Sequence, residues 1–236
     1  MKEKIFARER VCFDFLRTIP SKRKYVVIGG FAVSAFEFPR LSVDLDIVIP
    51  EKELRFFKGL IKKQGFVFSE ERSDFDETYG GRYEKYIKSE ELPVSVDLLI
   101  NSVQARQTNY SYSFLYLFKN SEIREVKGWH PEVKATVRVP DREMLIALKI
   151  NSMRMADKRD IIMLCYEKPD ENRIARHLKN CPRDIILDNL NELLGLIKGK
   201  GHDNSIKGVF SLSDDVLRRA VTRCEEVIEG IIEKMK

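Results

Sequence analysis

Val27-Ile28-Gly29-Gly30 ends an apolar run in two glycines, and Val43-Asp44-Leu45-Asp46-Ile47-Val48-Ile49 follows with two carboxylates one residue apart. Side chains in a strand alternate faces, so Asp44 and Asp46 share a face. Like charges on one side of an otherwise apolar strand repel each other and resist desolvation. A divalent cation makes such a pair favourable, so this pattern constrains the chain toward a metal centre of the phosphoryl-transfer kind.

A third run, Pro93-Val94-Ser95-Val96-Asp97-Leu98-Leu99-Ile100, is apolar with one carboxylate inside it. If it lies beside the first acidic strand, Asp97 joins Asp44 and Asp46 around one or two Mg²⁺ ions. That set suits in-line attack on a nucleotide α-phosphate, with Asp97 next to the nucleophile as metal ligand and candidate base. Gly29-Gly30 fits the same chemistry, because glycine lets phosphate approach the backbone closely and a helix starting there offers free N–H groups. Ser34 is a further hydroxyl contact one turn on.

The rest of the chain reads as an α+β protein whose first part holds an α/β-type mixed sheet. Residues 1–22 have helical spacing of apolar positions, and Tyr25 to Ile28 is a short β-branched strand. A helical turn follows at Phe31 to Phe38, then the strand Val43 to Ile49. Glu51 to Gln64 reads as an amphipathic helix stopped by Gly65. Phe66 to Ile87 reads as strand, loop, strand, with Val94 to Ile100 as a clean strand after it. Tyr110–Phe118, Glu122–Val126 and Ala135–Val139 are strand-like, the first with one aromatic face suited to core packing or to base stacking. Trp129-His130 is a loop.

The character changes at Pro140-Asp141. Beyond it the helices 141–155, 157–167, 170–180, 183–198 and 212–235 are expected, with Gly199–Gly208 a loop between the last two. The division is therefore a catalytic domain over residues 1–139 and a helical domain over 140–236 that closes the active-site cleft.

Composition excludes some classes. The chain has 236 residues, is 43% hydrophobic and 33% charged, and carries a formal net charge of +5. No apolar run approaches the roughly 20 residues of a membrane span, and the charged N-terminus is unlike a signal peptide. No membrane association is expected, and the protein reads as cytoplasmic. Cys12, Cys165, Cys181 and Cys224 are far apart, and the three histidines are scattered, so no zinc site is legible. The cysteines read as reduced core thiols.

Gly29-Gly30, then Arg40-x-Ser42-x-Asp44-x-Asp46, then the distant strand acid Asp97, resemble the signature of the nucleotidyltransferase (polymerase-beta-like) superfamily. The Arg-x-Ser form is most similar to its AbiEii/MenT branch of toxin-type enzymes. Leu148-Lys149-Ile150, Arg154 and Lys158-Arg159-Asp160 stand in that branch's order and spacing, while Met163 replaces an acid often found three residues after the Asp. The match spans roughly residues 25–165.

The resemblance implies a nucleotidyltransferase-fold first domain that moves a nucleoside monophosphate from an NTP to an acceptor hydroxyl. Asp44, Asp46 and Asp97 would bind metal, and Gly29, Gly30, Ser34, Arg40, Ser42 and Lys149 would hold the nucleotide. Asp160 would be a further acid near the site. The implied acceptor is the 3′ end of tRNA, and the implied partner is an antitoxin protein. Alternatives are an aminoglycoside-type small-molecule acceptor, or a non-catalytic nucleotide- or partner-binding module. Arg154 and Arg159 suit either phosphate contact or salt bridges to Asp157, Asp160 or Glu167.

Overall fold

The computed structural model describes residues 2–42, 44–89, 92–130, 132–199 and 203–235, without the side chains of Lys2, Ile5, Asp74 and Phe75. Val43 and part of the Gly199–Gly208 stretch therefore lie outside the described residues. The chain divides into two compact units, one comprising 1–104 and 111–140 and the other 105–110 and 141–236.

The first unit is built on a five-stranded mixed sheet of order β1-β2-β5-β4-β3. Its strands are β1 (Val26–Val27), β2 (Asp44–Ile49), β3 (Val67–Asp76), β4 (Gly81–Lys88) and β5 (Val94–Ile100). β2 pairs parallel with β5, and the remaining pairs are antiparallel. A parallel pair needs a crossover connection. Here it is α3 (Leu54–Lys63) followed by the β3–β4 hairpin.

Register assigns the two faces. Ile47 on β2, Leu98 on β5 and Glu84 on β4 are cross-strand partners in one row, so they share a face. Lys58 of α3 pairs with Glu84 at 2.9 Å, which puts α3 over that face. Phe57 and Ile61 of α3 are fully buried, as are Leu45, Ile47 and Ile49. The preceding helix α1 (Lys2–Arg17) adds buried Phe13, Phe15 and Leu16, with Phe15 edge-on to Phe66 at 5.8 Å. The alternate residues Asp44, Asp46, Ser95 and Asp97 occupy the opposite face.

The aromatic run at 110–118 is a correction. It forms a short strand, β7 (Ser111–Ser113), paired with β6 (Ser102–Gln104), and then a helix, α4 (Phe114–Lys119). Ser113 caps that helix by accepting the Tyr116 amide hydrogen at 3.2 Å. Alternating aromatics satisfy two periods at once, since positions four apart also meet on a helix. Phe114 and Phe118 lie 5.5 Å apart, and Tyr112 stacks on Tyr116 at 5.9 Å. β8 (Ser121–Lys127) and β9 (Lys134–Pro140) then form a separate hairpin.

The second unit is helical: α5 (Arg142–Ser152), α6 (Met155–Leu164), α7 (Glu171–Leu178), α8 (Arg183–Lys198), α9 (Asp203–Phe210) and α10 (Asp214–Met235). α9 stands where a loop was expected, because Ile206 and Phe210, four apart, both find cover and are buried. Residues 105–110 belong to this unit through Gln107, which donates to Asn189 at 3.1 Å, and Thr108, which donates to Asn151 at 3.0 Å. All four cysteines are free and buried. Among the described residues no helix is long and apolar enough to cross a membrane.

Candidate active site

β2 and β5 run side by side with Asp46 opposite Asp97 and Asp44 opposite Ser95. Two parallel strands in this register put three carboxylates and one hydroxyl on a small patch of one face. Asp44 is exposed, Asp46 half-buried and Asp97 only 9% exposed. Burial pushes the Asp97 carboxyl above its ordinary pKa, against the hydrogen bond from Tyr83 and the charge of Lys85.

Asp44 and Asp97 are held by different donors. Ser95 Oγ donates to Asp44 Oδ1 at 3.0 Å; having one proton, it serves one acceptor at a time. Tyr83 Oη donates to Asp97 Oδ2 at 2.8 Å, and Lys85 Nζ stands 4.0 Å from the same oxygen. Burial, and then the bond to Asp97, raise the Tyr83 phenol well above its usual pKa, so it remains a donor. Asp97 Oδ1 is buried and accepts no hydrogen bond among the described residues.

Among the described residues, no three acidic, histidine or cysteine side chains converge closely enough to hold a metal ion. The expected three-carboxylate cluster is instead an Asp46–Asp97 pair in register, with Asp44 one step along the same face. The donor set still suits a hard cation: it is all oxygen, it is anionic, and one buried oxygen lacks a proton donor.

The glycine turn abuts this patch. α2 (Gly29–Val33) begins immediately after Ile28, whose N–H donates to the Asp46 carbonyl at 3.0 Å. Gly29 has φ +67°, and a Cβ there would collide with the Asp46 carboxylate. A Cβ on Gly30 would collide with the Ser42 side chain and press on the Arg40 guanidinium. Both glycines are therefore required by what lies against them. Gly29→Ala is expected to destabilise the fold by at least about 1–3 kcal/mol, the usual cost of a left-handed non-glycine residue. Thermal unfolding checks this.

Ser34 belongs to the loop's own scaffold. It is 2% exposed, its hydroxyl accepts from Arg40 N at 3.1 Å, and its oxygen lies 3.0 Å from the Arg40 carbonyl. Substituting alanine should cost about 1–3 kcal/mol through the unpaired backbone groups. A direct phosphate contact would instead raise the KM for NTP with stability unchanged, so melting and kinetics of Ser34→Ala together separate the two roles. Arg40 is half-buried, with Nη1 donating to the Leu41 carbonyl at 3.2 Å, and Ser42 is half-buried against Gly30.

In the second unit, Lys149 and Asp160 meet. Lys149, on α5, is 4% exposed, and its ammonium bridges Asp160 at 2.6 Å and Asp157 at 3.0 Å on α6. Arg154 Nε adds a bond to Asp157 at 2.9 Å, so it forms one of the two alternatives expected for it, a salt bridge. Burial opposes ionisation of Asp157, but the Lys149 ammonium and the Arg154 hydrogen bond outweigh it and bring its pKa down to about 2. Met153, in the left-handed conformation at φ 43°, turns the chain between the two helices. An ammonium already held by two buried carboxylates is built to join α5 to α6.

Sequence reasoning did not single out Tyr83, Lys85, Ser95 or the Asp157–Lys149 contact. Tyr83 and Lys85 alternate on β4, and only the strand order brings β4 against β5 with Lys85 opposite Asp97.

The AbiEii family model, described as nucleotidyl transferase AbiEii toxin of a type IV toxin–antitoxin system, matches residues 13–186. The chain belongs to the AbiEii family. That match includes the glycine turn, all three strand acids and the Lys149–Asp160 pair, and it makes the chain a member of a nucleotidyltransferase toxin family. No curated protein matches it. Two solved structures share the fold. One, a proposed nucleotidyltransferase from H. pylori, is 15% identical at a TM-score of 0.53, covering 100% of this chain and 97% of that one. The other, JHP933 from Helicobacter pylori, is 16% identical at a TM-score of 0.53, covering 99% and 94%.

Proposed function

We propose that this AbiEii-family chain transfers a nucleoside monophosphate from an NTP to an acceptor hydroxyl on the Asp44–Asp46–Asp97 face, in the cytoplasm, with the 3′ end of a tRNA as acceptor. The observation that carries the reading is the Asp46–Asp97 pair in register, with a buried Asp97 oxygen that accepts no hydrogen bond. Folding gains nothing from such an oxygen, since an unmet buried acceptor costs about 1–3 kcal/mol. A cation ligand explains it.

Asp44, Asp46 and Asp97 would hold Mg²⁺, which when bound neutralises the triphosphate, lowers the pKa of the attacking hydroxyl and stabilises the leaving pyrophosphate. The other residues act by placement. Gly29 and Gly30 keep the backbone bare where a phosphate approaches. Arg40, packed over Gly30, supplies a fixed positive charge beside that turn. Ser34 holds the loop that carries Arg40. Lys149 and Asp160 support the reaction through the second unit's packing, as the join between its first two helices. A type IV toxin also implies an antitoxin, and an adjacent reading frame for a small DNA-binding protein would supply a candidate.

The test is transfer of label from each α-labelled NTP with Mg²⁺ into total tRNA and into an aminoglycoside panel, beside Asp44→Ala/Asp46→Ala. Label in tRNA with the wild type alone supports the proposal. Label in a small molecule keeps the chemistry and replaces the acceptor. Absence of both transfer and Mg²⁺-dependent NTP binding removes the catalytic reading and leaves a binding module.

A further inference from the structure

The two oxygens of the Asp97 carboxylate stand in different surroundings. Oδ2 is turned toward β4, where Tyr83 Oη donates to it at 2.8 Å and Lys85 Nζ approaches to 4.0 Å. A carboxylate is planar and rigid, so fixing one oxygen fixes the other. Oδ1 is buried and accepts no hydrogen bond among the described residues. Ser95 on the same strand stands close enough to favour the charged form of Asp97, but its single proton is directed at Asp44 at 3.0 Å and leaves Oδ1 without a hydrogen bond.

We propose that Tyr83 is a positioning residue: its hydroxyl ties Asp97 Oδ2 to β4 so that Oδ1 is presented to the divalent cation. This rests on the reading of Asp97 as a metal ligand. Three features of the fold make Tyr83 suited to the task. It sits on a central strand, paired with Leu99 next to the Asp97 position, so its ring is set by the ladder and not by a loop. Its hydroxyl reaches Asp97 diagonally across the strand pair, a distance that aromatic side chains span. As a neutral donor it orders the carboxylate without neutralising it, which an ammonium at hydrogen-bond distance would do.

The same strand offers a matched control. Tyr86, three residues on and therefore on the opposite face, also gives its hydroxyl to a carboxylate, that of Glu84. Removing either hydroxyl is the same chemical change in the same strand, and only one of the two touches Asp97.

Mn²⁺ binding to the full-length chain, followed by isothermal titration or by the spin resonance of free Mn²⁺, provides a readout independent of turnover. Losing a partner that orients a metal ligand typically lowers affinity 10–100-fold. Tyr83→Phe is expected to weaken Mn²⁺ binding about 10-fold with its melting temperature kept, and Tyr86→Phe to bind like the wild type. Tyr83→Gln, which restores a donor, should recover part of the loss; it also serves if the phenylalanine variant does not fold. Asp97→Asn should abolish binding.

Wild-type affinity in Tyr83→Phe, with Asp97→Asn still dead, overturns the positioning role and leaves the metal reading intact. Equal weakening in Tyr83→Phe and Tyr86→Phe also overturns it, by showing a general effect on the strand. No Mn²⁺ binding by the wild type overturns the metal reading and this inference with it.

Discussion

Asp97→Asn is expected to lower nucleotidyl transfer about 10³-fold while raising the melting temperature at neutral pH. The first effect follows from the proposed metal site. Cation stabilisation of transition-state charge amounts to several kcal/mol, and each 1.36 kcal/mol is about tenfold in rate. The second follows from burial. Desolvation raises the Asp97 carboxyl above its ordinary value in the folded chain. An acid with a raised folded pKa loses stability as pH rises through its unfolded value, near 3.9, toward the folded one. Neutral pH lies above the unfolded value, so the cost bears on the folded chain there, and asparagine removes it.

Each kcal/mol gained in this way corresponds to about 2–4 °C in a chain of this size. The gap between variant and wild type should close below about pH 4, where both are neutral at this position. Melting curves at pH 7 and pH 4 beside a transfer assay check both halves. A variant that is less stable than the wild type at pH 7 would show that Asp97 is kept for packing.

Lys149→Met should be the most destabilising single change in the second unit. It leaves Asp157 and Asp160, 2% and 1% exposed, without the ammonium that bridges them. Breaking a buried pair by removing one partner costs about 3–5 kcal/mol, roughly 10 °C in melting temperature. Acid should reverse part of the loss. In the wild type the Asp157 carboxyl is held near 2. Its contribution is therefore full above the unfolded value near 3.9 and is lost only as pH falls through about 2.

In the variant Asp157 lacks the ammonium that does most to keep it ionised, and it protonates more readily. The stability gap to wild type should then narrow between pH 7 and pH 4. Denaturant melts at both pH values measure it. An Lys149→Met chain that is stable yet has a raised KM for NTP would restore a direct phosphate contact for this lysine.

Much of this protein was legible before any fold was drawn, and the limits have physical causes. The acidic strand, the Asp97 strand and the helical second half follow from periods of two and of about 3.6 in the apolar residues, which depend on near neighbours only. Those same periods mislead where two coincide. Tyr112, Phe114, Tyr116 and Phe118 obey both, and the cap at Ser113 decided for a helix. The stretch after Gly199 reads as a loop because its glycines are poor helix formers, yet Ile206 and Phe210 are buried and hold α9.

Site chemistry divides in the same way. Residue types and spacing along the chain determined that Asp44 and Asp46 share a face, that glycines precede them, and that a third acid waits on a later strand. Only tertiary structure decided that Asp97 stands opposite Asp46, that Tyr83 holds one of its oxygens, and that Lys149 is taken by two buried carboxylates. Alternation along a strand is a local property of the backbone. Strand order and register arise from loop closure and burial across the whole unit, so no short stretch of sequence contains them.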